Sequence, residues 1–135
     1  MKHKAYLTQD DVNVVIAAAN AYAMGKGFSV AISVVDDGGH LLGFTRMDDC
    51  PTASAYISVE KARSAALGAR ETKGYEDMIN NGRIAYLSVP VLSGMLEGGV
   101  HIVVDGRTIG AVGVSGVKSA DDALIAKAGI ERLFA

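Results

Sequence analysis

SVAISVVDDGGHLLGFTRM, residues 29–47, is the most informative stretch of the chain. Ser29 to Val35 predicts a strand with Val30, Ile32 and Val34 on one face and Ala31, Ser33 and Val35 on the other. Both faces are mostly apolar, so both should be covered. Asp36-Asp37-Gly38-Gly39 is turn chemistry, because glycine takes positive φ without steric cost. His40 to Met47 then returns as the partner strand, with Leu42, Phe44 and Arg46 on one face. The unit is an antiparallel hairpin, and the sheet it belongs to is expected to carry helices on both sides.

A second hairpin lies further along. Val100 to Val104 and Thr108 to Val114 flank Asp105-Gly106, a strong short-range turn signal between apolar strands. Upstream of the first hairpin, Gln9 to Lys26 has helical apolar spacing in Val12, Val15, Ile16, Ala19, Tyr22 and Ala23. Thr8 can cap it, with Asp11 closing the box. Between the hairpins, Pro51 precedes an Ala-rich helix over Ala53 to Arg70, whose small residues suit close packing on a sheet. A short helix is expected from Tyr75 to Asn81, and a short strand near Leu92 to Leu96. The last helix, Ala120 to Leu133, has Ser119 as its expected cap and Asp122 at the third position. The expected fold is therefore α/β (α+β): one domain, residues 1–135, a three-layer α-β-α sandwich around an antiparallel five-stranded sheet.

Composition narrows the function. Thirteen basic against fifteen acidic residues give a net charge of −2, against the concentrated basic surface that nucleic-acid binding needs. Cys50 is the single cysteine, so no internal disulfide forms and no oxidising compartment is required. The basic start Met1 to Lys4 is followed by no apolar run, and no stretch reaches the length of a membrane span. The expected location is cytoplasmic, without membrane or nucleic-acid partners.

No catalytic constellation stands out. Gly110-Ala111-Val112-Gly113-Val114-Ser115-Gly116 fits neither phosphate-loop pattern and reads as a strand thinned for helix packing. Ser115 lacks the spacing of a nucleophile elbow. His3, His40 and His101 have no metal-cluster spacing, although a haem iron needs only one axial side chain. His40 follows a turn and should be accessible, whereas His101 should be half-buried against a helix. Arg46, Asp48 and Asp49 end the first hairpin. With Lys61 and Arg63 on the next helix, they offer an anion site for carboxylates or propionates.

Taken in order, Val34-Val35-Asp36-Asp37-Gly38-Gly39-His40-Leu41, Phe44-Thr45-Arg46-Met47-Asp48, Lys61-Ala62, Gly98-Gly99, Asp105-Gly106 and Gly110 to Gly116 resemble the GlcG/HbpS family over nearly the whole chain. That family includes haem-binding HbpS-like proteins, the GlcG proteins of glycolate operons and the C-terminal domain of PduO-type corrinoid adenosyltransferases. The resemblance implies a profilin-like fold, a homo-oligomer, and a small binding protein for haem or a related tetrapyrrole rather than an enzyme. The alternative it implies is an accessory protein of glycolate- or diol-type catabolism that binds a small carboxylate or a protein partner. Two positions depart from the family: Asp48-Asp49-Cys50 replaces the usual Asp-Gly-Ala, and His101 stands where proline is usual.

The candidate ligand-binding residues are His40, Arg46, Asp48, Lys61, His101 and Ser115, with His40 as candidate haem axial ligand. A strand rises about 3.3 Å per residue, so Arg46 should lie roughly 20 Å from His40. Either the two meet across a subunit interface, or the site uses only one of them.

Overall fold

A computed structural model describes residues 1–135. Helix α1 (Gln9–Gly25) opens the chain. Its capping box forms as its sequence demands: Asp11 N–H donates to Thr8 Oγ1 at 3.2 Å, and Thr8 N–H donates to Asp11 Oδ2 at 2.8 Å. Strands β1 (Ala31–Asp36) and β2 (Leu41–Arg46) make the first hairpin. Helices α2 (Ala53–Gly68) and α3 (Thr72–Asn80) follow, then a 3₁₀ turn over Ile84–Ser88. Strands β3 (Gly99–Val104) and β4 (Arg107–Ser115) make the second hairpin, and α4 (Ser119–Leu133) ends the fold.

The sheet has four antiparallel strands in the order β2-β1-β4-β3. The fifth strand expected near Leu92 to Leu96 does not form. That segment lies on α2 instead: a Cβ on Gly94 would come within 2.2 Å of the Glu60 carbonyl carbon, and Gly94 N–H donates to Ser64 Oγ at 3.1 Å. With its backbone committed to α2, the segment has no ladder to join.

Helices α1 and α4 cover one face of the sheet, and α2, with α3 beside it, covers the other. The strand alternation predicts the two interiors. Val30, Ile32, Val34, Val112 and Val114 join Val15 and Ile125 in the main aliphatic core. Val35 and Ala111 meet Ala62, Ala65 and Ala66 of α2 in a smaller one. At Gly113 a Cβ would fall 2.0 Å from the Ser58 carbonyl oxygen and 2.5 Å from Ala62 N, so α2 rests on bare strand backbone. The glycine-rich run at residues 110–115 is thus a central strand thinned for a helix.

The Asp105-Gly106 turn has positive φ at both residues, 50° and 73°, the geometry that matches the twist of its strands. At the last helix the expected cap is displaced. Lys118 occupies the cap position and Ser119 is the first helical residue. Asp122 does not close a box on Ser119; its carboxylate accepts from Val117 N–H at 3.2 Å and reaches into the core.

Candidate functional site

The turn of the first hairpin builds one cleft. The Asp36 carboxylate accepts the backbone N–H groups of Gly38 and His40, both at 2.9 Å, and stands 3.1 Å from His40 Nδ1. Burial works against ionisation of Asp36, but these bonds outweigh it and hold its pKa below the usual carboxylate value. A fixed carboxylate therefore receives the Nδ1–H of His40 and leaves Nε2 free. The imidazole is 80% exposed. Around it lies a cleft of about 620 Å³ lined by Gly38, Gly39, Leu41, Arg63, Leu67, Val91 and Ser93. Arg63 packs directly on the turn, since a Cβ on Gly39 would come within 2.7 Å of its Cγ.

The other end of the hairpin builds a second concavity. Asn20, Met24, Phe28, Ser29, Arg46, Met47 and Asp48 line about 420 Å³ beside the end of α1. Arg46 to Cys50 line an adjoining polar hollow. The loop is held by a hydrogen bond from the Ser29 hydroxyl to the Asp48 carbonyl and by Met47 N–H on Val30 O at 2.9 Å. Arg46, Asp48 and Asp49 make no ion pair within the chain.

The six candidates therefore separate. His40 is exposed in the turn cleft, and Arg46 and Asp48 stand together at the far end of β2. Lys61 joins neither cleft. Its ammonium is buried, donating to Val114 O at 2.9 Å and to Asp122 Oδ2 at 3.1 Å. The expectation of Lys61 as an anion partner beside Arg46 is thus corrected: an internal carboxylate and carbonyl already occupy it. Burial pushes the Asp122 pKa up to about 6, against the pull of the Lys61 ammonium and the Val117 N–H.

His101 sits on β3 opposite Ala111 and lines no cleft. Its Nδ1 is buried without a partner, and burial lowers its pKa, so the ring is neutral at physiological pH. Ser115 is buried at the end of β4, paired with Ala31.

Sequence reasoning placed Arg63 in the same anion site as Lys61; the structure separates the two, with Arg63 lining the His40 cleft and its guanidinium donating to Glu60 Oε1 at 3.0 Å. It did not foresee Val91, which lines the His40 cleft at φ +64°. No sequence signal marks it, because valine is among the residues least suited to that conformation.

The His40 cleft suits a haem: a carboxylate-backed imidazole with a free ring nitrogen, the apolar side chains Leu41, Leu67 and Val91, and a guanidinium for propionates.

The family described as haem degrading protein HbpS-like matches residues 7–131. Protein GlcG of Escherichia coli K12 is 59% identical over 115 residues, covering 85% of each chain. Among solved structures, Klebsiella pneumoniae protein ORFY superposes with a TM-score of 0.90 at 28% identity, over 99% of this chain and 95% of that one. A haem complex of PduOC superposes with a TM-score of 0.85 at 26% identity, over 95% of both chains. With the family pattern running from the first helix to the last, this chain belongs to the HbpS-like family.

Proposed function

We propose that this protein binds haem or a related tetrapyrrole as a homo-oligomer, with His40 as the axial donor and no catalytic residue of its own. The observation that carries the reading is the Asp36–His40 pair, 3.1 Å between carboxylate and Nδ1, with Nε2 directed away from it. A metal-ligating histidine has this arrangement, because the carboxylate fixes the tautomer and raises the basicity of the free nitrogen. When bound, the iron supplies the Lewis-acid and redox chemistry; the chain orients one imidazole and offers Arg63 as counter-charge. The haem-bound PduOC structure and the family's description, which names haem, support the haem part of this reading.

Haemin titration with absorbance read in the Soret region tests it. Wild type is expected to give a shifted band, His40→Ala to lose it and His101→Ala to keep it. An unshifted wild-type spectrum would exclude the tetrapyrrole. The second reading, a small-carboxylate binder, rests on Arg46, a guanidinium without an internal counter-charge in a polar hollow. It requires thermal stabilisation by a short carboxylic acid that Arg46→Ala abolishes.

A further inference from the structure

Helix α2 turns one face along the first hairpin. Tyr56, Val59, Glu60, Arg63 and Leu67 recur every three or four positions, so they share that face over about 16 Å of helix. Strand β2 lies opposite. Leu41 pairs with Val35, which packs on the α2 alanines, and Phe44 pairs with Ser33, whose hydroxyl bonds Ser58 of α2. Both side chains therefore stand on the α2 side of the sheet. Between helix and strand lies a hollow of about 410 Å³ lined by Leu41, Phe44, Ala55, Tyr56, Val59 and Glu60. Leu41 lines the His40 cleft as well, and Arg63 of that cleft donates to Glu60 of this hollow at 3.0 Å. The two form one groove along α2, with an imidazole at one end and Phe44 and Tyr56 at the other.

We propose that the Phe44–Tyr56 hollow is the second half of the tetrapyrrole site, and that it selects macrocycles with an apolar edge over those bearing carboxylates all round. The selectivity presupposes the function proposed above, a tetrapyrrole at His40. The His40 end alone does not bury a macrocycle: its imidazole is 80% exposed, and only Leu41, Leu67 and Val91 are apolar. Ligand sites bury most of their ligand, chiefly against apolar side chains. The adjoining hollow supplies them, since every lining residue except Glu60 is apolar or aromatic. In the free chain this surface faces water, with Leu41 52% exposed, Phe44 41% and Tyr56 81%. A flat ligand held at His40 and extending across Leu41 removes that surface from water.

The charges set the selection. Arg63 is the one Lys or Arg side chain lining either half of the groove, and it already faces Glu60. Propionates on one edge of a macrocycle can share Arg63 or turn to solvent. A carboxylate on the opposite edge enters the Phe44–Tyr56 hollow, loses water without gaining a cation, and meets the Glu60 carboxylate. Vinyl and methyl groups on that edge meet only carbon. Protoporphyrin-type haem has such an edge; a uroporphyrin, with a carboxylate on every peripheral carbon, does not.

The test titrates the full chain with haemin and with iron uroporphyrin, which share the metal and differ in the periphery. Soret position at saturation reads ligation by His40, and the dissociation constant reads the groove. Wild type is expected to bind haemin about tenfold or more tightly than iron uroporphyrin. Phe44→Glu and Tyr56→Glu should each weaken haemin by about tenfold or more without moving the Soret position at saturation. Leu124→Glu, an equal charge on an exposed α4 position, should leave haemin affinity unchanged. Tyr56 is a surface residue of α2, so its variant keeps the fold even where Phe44→Glu lowers the urea midpoint. Glu60→Gln should narrow the preference between the two porphyrins. Equal affinity of wild type for both, or haemin affinity in the Phe44 and Tyr56 variants no lower than in Leu124→Glu, overturns the selectivity and leaves the haem reading standing. So does a Tyr56→Glu chain that changes its mass in light scattering but not its haemin affinity, which would make the hollow a subunit contact. An unshifted wild type overturns both.

Discussion

The two faces of the sheet are held by different means. Towards α1 and α4 the interior is branched and aliphatic, with Ile32, Ile102 and Ile125 fully buried among valines. Towards α2 it is made of alanines, glycines and hydroxyls, with Ser33 and Ser58 sharing a buried 2.8 Å hydrogen bond. Along its edge the Lys61 ammonium pairs with Asp122 of the opposite helix layer. One face gains stability from apolar area removed from water, roughly 25 cal/mol per Å². The other depends on close backbone approach and on buried polar pairs such as Ser33–Ser58 and Lys61–Asp122. An aliphatic interior tolerates a lost methyl; a thin polar one tolerates neither an added atom nor a missing charge.

Three substitutions test that contrast. The largest effect is expected from Lys61→Met, which strands Asp122 in the interior. Breaking a buried pair from one side costs about 3–5 kcal/mol, to be read as a lower urea midpoint. The loss should depend on pH. A carboxyl with a raised native pKa stabilises the fold below its unfolded value of 3.8, and that stabilisation is lost as pH rises through about 6. The Lys61→Met change removes the ammonium that opposes the upward shift. The gap between variant and wild type should therefore be small in acid and widen towards neutrality, and adding Asp122→Leu should narrow it. A gap independent of pH would mean that Asp122 is not ionised beside Lys61.

Next is Gly113→Ala, which sets a methyl 2.0 Å from the Ser58 carbonyl oxygen. α2 must lift, at about 1–3 kcal/mol or more. The smallest effect belongs to the aliphatic face, where Ile32→Val should cost about 0.5–1.5 kcal/mol. If thermal or urea unfolding ranked Ile32→Val above Gly113→Ala, the contrast between the faces would fail.

The parts legible in the sequence are those set by local pattern. The two-residue alternation of β1 assigned Ile32 and Val34 to one interior and Ala31 and Ser33 to the other. Thr8 with Asp11 placed the start of α1, and Asp105-Gly106 placed the second turn. What escaped depends on partners far along the chain. Lys61 in an Ala-rich helix looks like a solvated residue; its burial follows from Asp122, 61 positions later. Leu92 to Leu96 has the apolarity of a strand, yet Gly94 fits only against α2. At the site, the exposed turn position of His40 and its separation from Arg46 could be read from strand geometry. That Arg63, and not Lys61, faces the turn depends on the rotation of α2 about its own axis, which an alanine-rich surface leaves unmarked.

Residues 84–88 carry no buried side chain, and three positions further on Val91 holds a left-handed backbone that β-branching disfavours. Local opening free energy follows from such features: few apolar contacts to break and about 1–3 kcal/mol of strain to release. Amide hydrogens of this segment should exchange at small opening free energies, while those of β1 and β4 exchange only with global unfolding. Because Val91 and Ser93 form one wall of the His40 cleft, an occupant there would register as slowed exchange across the segment, a signal that needs no chromophore.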